Sequence, residues 1–293
     1  MAISTCFSSP TIWPRPKPTS RVTRWNASGC ITVCVRFVPS ARPWESDQVI
    51  AGIDVSLAST TVGVFDDTRR EVGDVVTIEH ELEDGEVSPL EWLRVIDQAW
   101  SRLGNPVISA VGVAAFASGL VVLDSAGRPV RAVWDDERSE PDAGWCRKKL
   151  APEWWESETG IVPEARHAVT KMSWLHRSEA ETWSRAAGFA LPFDFVASRM
   201  AGLDSIVTSS TGSIGYGLYR SADHVVHSDV TTLIDTNRDW SRALPRVVDE
   251  DEPIGHWKGA SVFVGIDRDR FVNSVAKPQV VRDIAMHFES FLK

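Results

Sequence analysis

Two apolar runs, "VIAGIDVS" and "TTVGVFD", stand within a few residues of each other between positions 49 and 66. The link between them is too short for a helix, so the chain has to turn back at once. A third run, "REVGDVVTIEHEL", places Val72, Val76, Ile78 and Leu82 on one alternating face. Three strands with short connections therefore open the ordered part of the chain. A well-marked helix follows in "SPLEWLRVIDQAWSRLG", with Ser88 as N-cap, Pro89 as first helical residue and Glu91 as capping-box acid. Leu90, Leu93, Ile96, Trp100 and Leu103 form its predicted apolar stripe, and Gly104 can end it.

Beyond that helix, "VISAVGVAAF" is a buried strand, and "LVVLDSAGRPVRAVW" is a hairpin with its turn at Ser125 to Pro129. Residues 139–205 are mainly helical by periodicity, most clearly in "AVTKMSWLHRSEAETWSRAAG" and "FDFVASRMAG". "ASVFVGID" is one more strand. "KPQVVRDIAMHFESFLK" is an amphipathic helix with Val280, Ile284, Phe288 and Phe291 or Leu292 along one face. Three strands, then helix, strand and further helices, predict a mixed α/β domain rather than a doubly wound one.

Hydrophobic residues make up 43% of the 293, enough for a real core. The net charge of −9 argues against a nucleic-acid partner, and no apolar run is long enough to span a membrane. The charge is uneven: residues 1–44 carry Arg15, Lys17, Arg21, Arg24, Arg36 and Arg42 and no acid, which leaves −15 on the remainder. The same segment holds Cys6, Cys30 and Cys34 and six of the 16 prolines. Residues 1–47 are thus an atypical basic extension, disordered or non-native. A transit peptide, a secretory signal and translated upstream sequence compete for it, the last with Val49 as an alternative start. Cys146 is the one cysteine elsewhere, so no disulfide framework is implied, as in a reducing cytoplasm.

Asp54, Ser56, Ser59 and Thr60 are the first candidates for chemistry. An aspartate ending a buried strand before a hydroxyl-rich turn can hold a hydrated Mg²⁺, and small neighbours let backbone N–H groups reach phosphate oxygens. The other reading is a hairpin in which these side chains only satisfy turn groups. Asp223, His224, His227 and Asp229 have metal-ligating types but lie in a polar stretch that reads as a solvated loop. "DEDE" at 249–252 reads as a solvated acidic turn, and Trp92, Trp100, Trp174 and Trp183 as core or half-buried residues of helices.

Taken in order, these stretches resemble the FGGY carbohydrate kinases, notably the xylulokinase-like branch. "GIDVSLASTT" is similar to that family's first phosphate loop. Gly112 to Gly119 lies where the family has G-I-x-G-Q-M-H-G. "LVVLDSAGRPVRAVW" and "WDDER" resemble the segment that ends in W-x-D-x-R, on Trp134, Asp136 and Arg138. "AVTKMSWLHR" partly fits an FGGY signature through Lys171, Met172, Trp174 and Leu175, and "LPFDFVASRMAG" resembles L-P-x-D-Y-L-x-x-R-L-T-G. The similarity is colinear over about residues 49–267.

The resemblance implies an actin-like (ribonuclease H-like) ATPase domain, α/β in class, over residues 48–258. Residues 259–293 would be the remnant or start of a largely missing second domain, with a terminal helix. It implies a cytoplasmic kinase that transfers the ATP γ-phosphate to a sugar hydroxyl, with a ketopentose such as xylulose as substrate and ATP and Mg²⁺ as cofactors. Asp54, Ser56, Ser59 and Thr60 would face phosphate and Mg²⁺. Ser118, Gly119, Trp134, Asp136 and Arg138 would face the sugar, with Trp134 lining the cleft. Asp267 would be the base, although a plain Asp/Arg turn after a strand is the other reading of "GIDRDR". Ser56, Leu57, Ala58 and Thr61 depart from the loop pattern, and Phe116, Ala117 and Ser118 replace Q-M-H. The alternative function is a non-catalytic, truncated domain that binds a sugar or a protein partner. A homodimer or a separate second-domain chain would be the partner.

Overall fold

The structure is a computed structural model that describes residues 21–25, 31–35, 49–66, 68, 70–271 and 277–292. The chain forms two compact units, Met1–Asp47 and Gln48–Lys293. In the first, Arg21–Trp25 and Ile31–Val35 pair antiparallel. The expectation of a disordered or non-native extension over 1–47 falls largely outside the described residues.

The second unit is built on one seven-stranded sheet. Strands β1 (Val49–Val55), β2 (Ser59–Asp66) and β3 (Val76–Glu79) are the three opening runs, paired antiparallel in sequence. Helix α1 (Pro89–Arg102) then carries the chain across to β4 (Ala110–Ala115), which lies parallel to β1. Strands β5 (Gly255–Trp257), β6 (Ala260–Val262) and β7 (Ile266–Asp267) complete the sheet, with β6 and β7 both parallel to β4. "ASVFVGID" is thus two short strands: at the break, a Cβ on Gly265 would lie 2.1 Å from the Phe193 carbonyl oxygen.

Alternation on β1 and β4 explains their unbroken apolar character, because both faces are covered. Ala51, Ile53, Val55, Val111, Val113 and Ala115 join a core with Trp92, Ile96 and Trp100 of α1. Ile50, Ala110 and Ala114 face the other way, onto α5 (Lys277–Glu289), through Val280, Val281, Ile284 and Phe288. That matches the stripe predicted for the last helix. The helix approaches so closely because Gly52 pairs with Gly63 on one side and Gly112 on the other. A Cβ on Gly52 would lie 1.9 Å from the Val281 carbonyl oxygen, and one on Gly112 would lie 1.9 Å from the Phe288 ring.

Helix α1 differs from expectation in its face. Trp92, Val95, Ile96, Ala99 and Trp100 are buried, whereas Leu90 is 55% exposed. Centring the stripe on two indoles buries more apolar area than the Leu90 register would. The capping box is not formed either: the Ser88 side chain makes no cap bond, and Glu91 pairs with Arg94 instead. The predicted terminator holds, since Gly104 has φ of +82°.

Residues 139–205 are mainly helical as expected, and include α2 (Glu140–Lys149), α3 (Ala168–Ser178) and α4 (Pro192–Met200). The long helix read from 168 breaks at Glu179 and resumes as Ala180–Arg185. Glu179 leaves helical geometry while its carboxylate accepts from the Arg131 guanidinium at 2.9 Å. The hairpin turn at 125–129 is present, with Gly127 at φ of +72°. Among the described residues no helix is long and apolar enough to cross a membrane.

Candidate active site at the strand ends

Strands β1, β4 and β7 end together. Ala115 is opposite Val55 on one side and Asp267 on the other. Asp54, Ser118 and Asp267 therefore all lie at the carboxyl ends of parallel strands, where open α/β sheets leave room for a ligand. A cavity of about 300 Å³ opens there. Ser118, Arg166, His167, Thr211, Asp267 and Arg270 give it polar groups, and Phe193 and Ile214 are among its apolar walls. That mix suits a polyhydroxylated molecule with an apolar face. A larger hollow, about 760 Å³, lies along Arg246–Ile254. It contains none of the residues predicted to face phosphate or sugar, and its carboxylates Asp249, Asp251 and Glu252 are exposed.

The charge states within the smaller cavity are set by burial. Burial pushes the Asp267 carboxyl up, against the Asp269 N–H that donates to it at 3.0 Å. Burial pushes His167 down to about 4, and its Nδ1 accepts from the Glu164 N–H at 3.0 Å. The cavity thus holds a carboxylate with raised proton affinity beside an imidazole that stays neutral.

Asp54 itself is nearly sealed, at 3% exposure. Its two oxygens accept from Nε and Nη2 of Arg268 at 2.7 and 3.0 Å, a bidentate pair. Ser59 accepts from the Lys277 ammonium at 2.9 Å. Ser56 is turned inward, its hydroxyl bonded to the Ser59 carbonyl at 2.9 Å and accepting the Ser59 N–H at 3.0 Å. Thr60 is buried against His80 at 2.8 Å. Each of the four predicted phosphate-facing side chains therefore has a partner within the protein. The residues supplying those partners, Arg268, Lys277 and His80, were missed by sequence reasoning. Arg268 stood there only as part of an Asp/Arg turn, and Lys277 and His80 only as parts of longer runs.

Trp134, Asp136 and Arg138 sit elsewhere and are not among the residues lining the cavity. Trp134 is fully buried rather than facing a cleft. Arg131 stacks on its ring at 4.0 Å, and Lys171 lies 4.8 Å away while donating to its carbonyl at 3.3 Å. Burial pushes Lys171 down to about 8. Arg138 is held by Asp136 and by Glu86, the latter at 2.6 Å. Gly119 is a packing residue, since a Cβ there would lie 2.6 Å from Val133. The predicted sugar set is thus divided: Ser118 lines the cavity, while Trp134 packs against Arg131 and Lys171.

Asp223, His224, His227 and Asp229 do not converge. Asp223 pairs with Arg220, His224 with Ser213, and His227 faces Glu158. No group of three or more metal-ligating side chains is placed to hold an ion among the described residues.

Comparison with known proteins adds to this geometry. The family model described as "FGGY family of carbohydrate kinases, N-terminal domain" matches residues 49–276. A xylulose kinase of Streptomyces coelicolor is 30% identical over 216 residues, covering 71% of this chain and 44% of its own length. One from Streptomyces rubiginosus is 28% identical over 215 residues, with the same two shares. Among solved structures, a xylulose kinase from Rhodospirillum rubrum superposes with a TM-score of 0.68 at 17% identity, covering 79% of this chain and 52% of that one. The Plasmodium falciparum glycerol kinase with ADP gives 0.66 at 18%, covering 77% and 49%. The chain spans about half the length of these relatives. The structural likeness shows the fold, which is the actin-like α/β fold expected from the sequence.

Proposed function

Because the chain belongs to the FGGY family of carbohydrate kinases, we propose that it binds a ketopentose such as xylulose in the 300 Å³ cavity and serves in phosphorylating it from ATP. One observation carries this reading: Ser118 and Asp267 line a single polar cavity at the ends of β4 and β7. In the reaction, a sugar hydroxyl oxygen attacks the γ-phosphorus of ATP, its bond to the β,γ-bridging oxygen breaks, and ADP leaves. The hydroxyl proton passes to Asp267, whose proton affinity burial raises above that of an ordinary carboxylate. Ser118 and Thr211 orient the sugar hydroxyls, and Phe193 packs under its carbon face.

Mg²⁺ does not fit Asp54 as the side chains stand, because both carboxylate oxygens are taken by Arg268. No step is routed through a metal there. The kinase reading requires a nucleotide-binding half in addition to the matched residues 49–276, and a cytoplasmic site of action is part of the same reading.

The second reading is a non-catalytic sugar-binding domain. The pairing of Arg268 with Asp54 and of Lys277 with Ser59 favours it, since Arg268 takes the carboxylate that would otherwise hold Mg²⁺ and Lys277 the hydroxyl that would otherwise meet phosphate. Calorimetry with xylulose, together with a coupled assay for ADP release, separates the two. Sugar-dependent ADP release supports the kinase. Sugar binding without release supports the binding domain. Absence of any sugar affinity, with a folded protein, sinks both.

A further inference from the structure

The Asp54 carboxylate sits at the end of β1 with 3% exposure. A buried carboxylate needs a counter-charge, and removing one from a formed pair is strongly unfavourable. Here the counter-charge is a side chain from 214 residues later in the sequence, delivered in a two-point geometry at 2.7 and 3.0 Å. Arg268 is itself mostly buried, with about 20% of its side chain exposed. Its planar fork satisfies both oxygens at once, leaving neither free for a hydrated ion. The second cation, Lys277, occupies the neighbouring hydroxyl of Ser59 at 2.9 Å. Two elements bring these cations in: the short turn after β7 and the start of α5, whose packing on the glycine stripe fixes its position.

We infer that Arg268 is the resident cation of the Asp54 site, so that this chain binds no divalent ion there and positions its phosphate loop with a tethered guanidinium. The inference concerns the loop alone. Metal binding measured without sugar or nucleotide separates its failure from that of the kinase reading.

The test uses Mn²⁺ as a paramagnetic stand-in for Mg²⁺, titrated into the full chain and followed by electron paramagnetic resonance of the free ion. Wild-type protein is expected to show no Mn²⁺ site that Asp54→Asn removes. Arg268→Gln is expected to gain one site per chain, which Arg268→Gln combined with Asp54→Asn loses again. A wild-type site sensitive to Asp54→Asn, or a folded Arg268→Gln protein that gains none, would overturn the inference. Should the variants not fold, the arginine spectra of the wild type decide. In nitrogen-15 spectra of the arginine Nε–H groups, a shifted Arg268 resonance should keep its position through a Mg²⁺ titration. Its displacement by Mg²⁺ would equally overturn the inference.

Discussion

The Thr60 hydroxyl lies 2.8 Å from Nε2 of His80, and Nδ1 of the same ring lies 2.9 Å from the Leu57 carbonyl oxygen. A carbonyl can only accept, so Nδ1 carries the proton and Nε2 accepts from Thr60. One neutral imidazole thereby ties both ends of the turn that follows Asp54 to the strand beside it. Replacing His80 with Ala leaves a buried hydroxyl and a carbonyl unpaired, at a cost of about 1–3 kcal/mol. Urea denaturation should register that loss, and Thr60→Val combined with His80→Ala should cost less than the sum of the two single changes.

Asp267→Asn keeps the shape of the cavity and removes the proposed proton acceptor. If the chain is assayed as a kinase, turnover is expected to fall by about 10²–10⁴-fold with sugar affinity little changed. Because burial raises the Asp267 carboxyl, wild-type turnover should decline on the acid side as the pH falls through that raised value. A calorimetric sugar affinity lost together with turnover would place Asp267 in sugar binding instead.

His167 sets a second acid-side dependence, this one of stability. Its folded-state value lies near 4 against 6.5 for a free imidazole, because burial disfavours the cation. The unfolded chain therefore binds more protons between those values. The stabilisation is complete above pH 6.5 and is lost as the pH falls towards 4, by on the order of 3 kcal/mol. His167→Asn can keep an acceptor for the Glu164 N–H and suits the N-cap position that His167 holds on α3. Urea midpoints at pH 7.5 and 4.5 should show a smaller acid loss in this variant than in wild type.

Local periodicity carried much of the fold. The last helix showed its buried stripe in sequence because Val280, Ile284 and Phe288 recur at helical spacing. The face of α1 was misjudged at Leu90 because a leucine and a tryptophan two residues apart compete for the core, and the larger ring wins. Sequence could not show that Gly52, Gly63 and Gly112 form one stripe, since only the register of three strands aligns them. The candidate site was less legible still. Asp54 and Asp267 could be picked out by position, but Arg268 acts across 214 residues and Lys277 across 218. Trp134 looked like a ligand platform because its motif did, while its packing against Arg131 and Lys171 depends on tertiary contacts.

Asp194 is fully buried, and its Oδ2 accepts from the Tyr216 hydroxyl at 2.7 Å. Burial raises its carboxyl well above the ordinary value, so the folded state favours the neutral acid. The sign is opposite to that of a salt-bridged aspartate: stability is greatest below the unfolded value near 3.8 and is lost as the pH rises towards the folded value. Asp194→Asn is neutral at every pH, and its amide oxygen can accept from Tyr216. Its stability relative to wild type, read from urea midpoints, should therefore improve as the pH rises above the unfolded value near 3.8. A flat difference would mean that Asp194 is ionised alike in the folded and unfolded chains, and so is not raised by burial.

Gly52→Ala tests how the second face of the sheet is closed. The added Cβ would meet the Val281 carbonyl oxygen at 1.9 Å, and the obstacle is helix backbone rather than a side chain that can rotate away. Either α5 lifts from the sheet or β1 shifts in register with both neighbours, and each route uncovers Ile284 and Phe288, which are fully buried. The expected cost is about 3 kcal/mol or more. Lifting α5 also withdraws Lys277 from Ser59. Hydrogen exchange followed by mass spectrometry should therefore show faster exchange in residues 277–289 and in the turn at 56–59 together. Faster exchange in the helix alone would mean that the turn keeps its shape without Lys277.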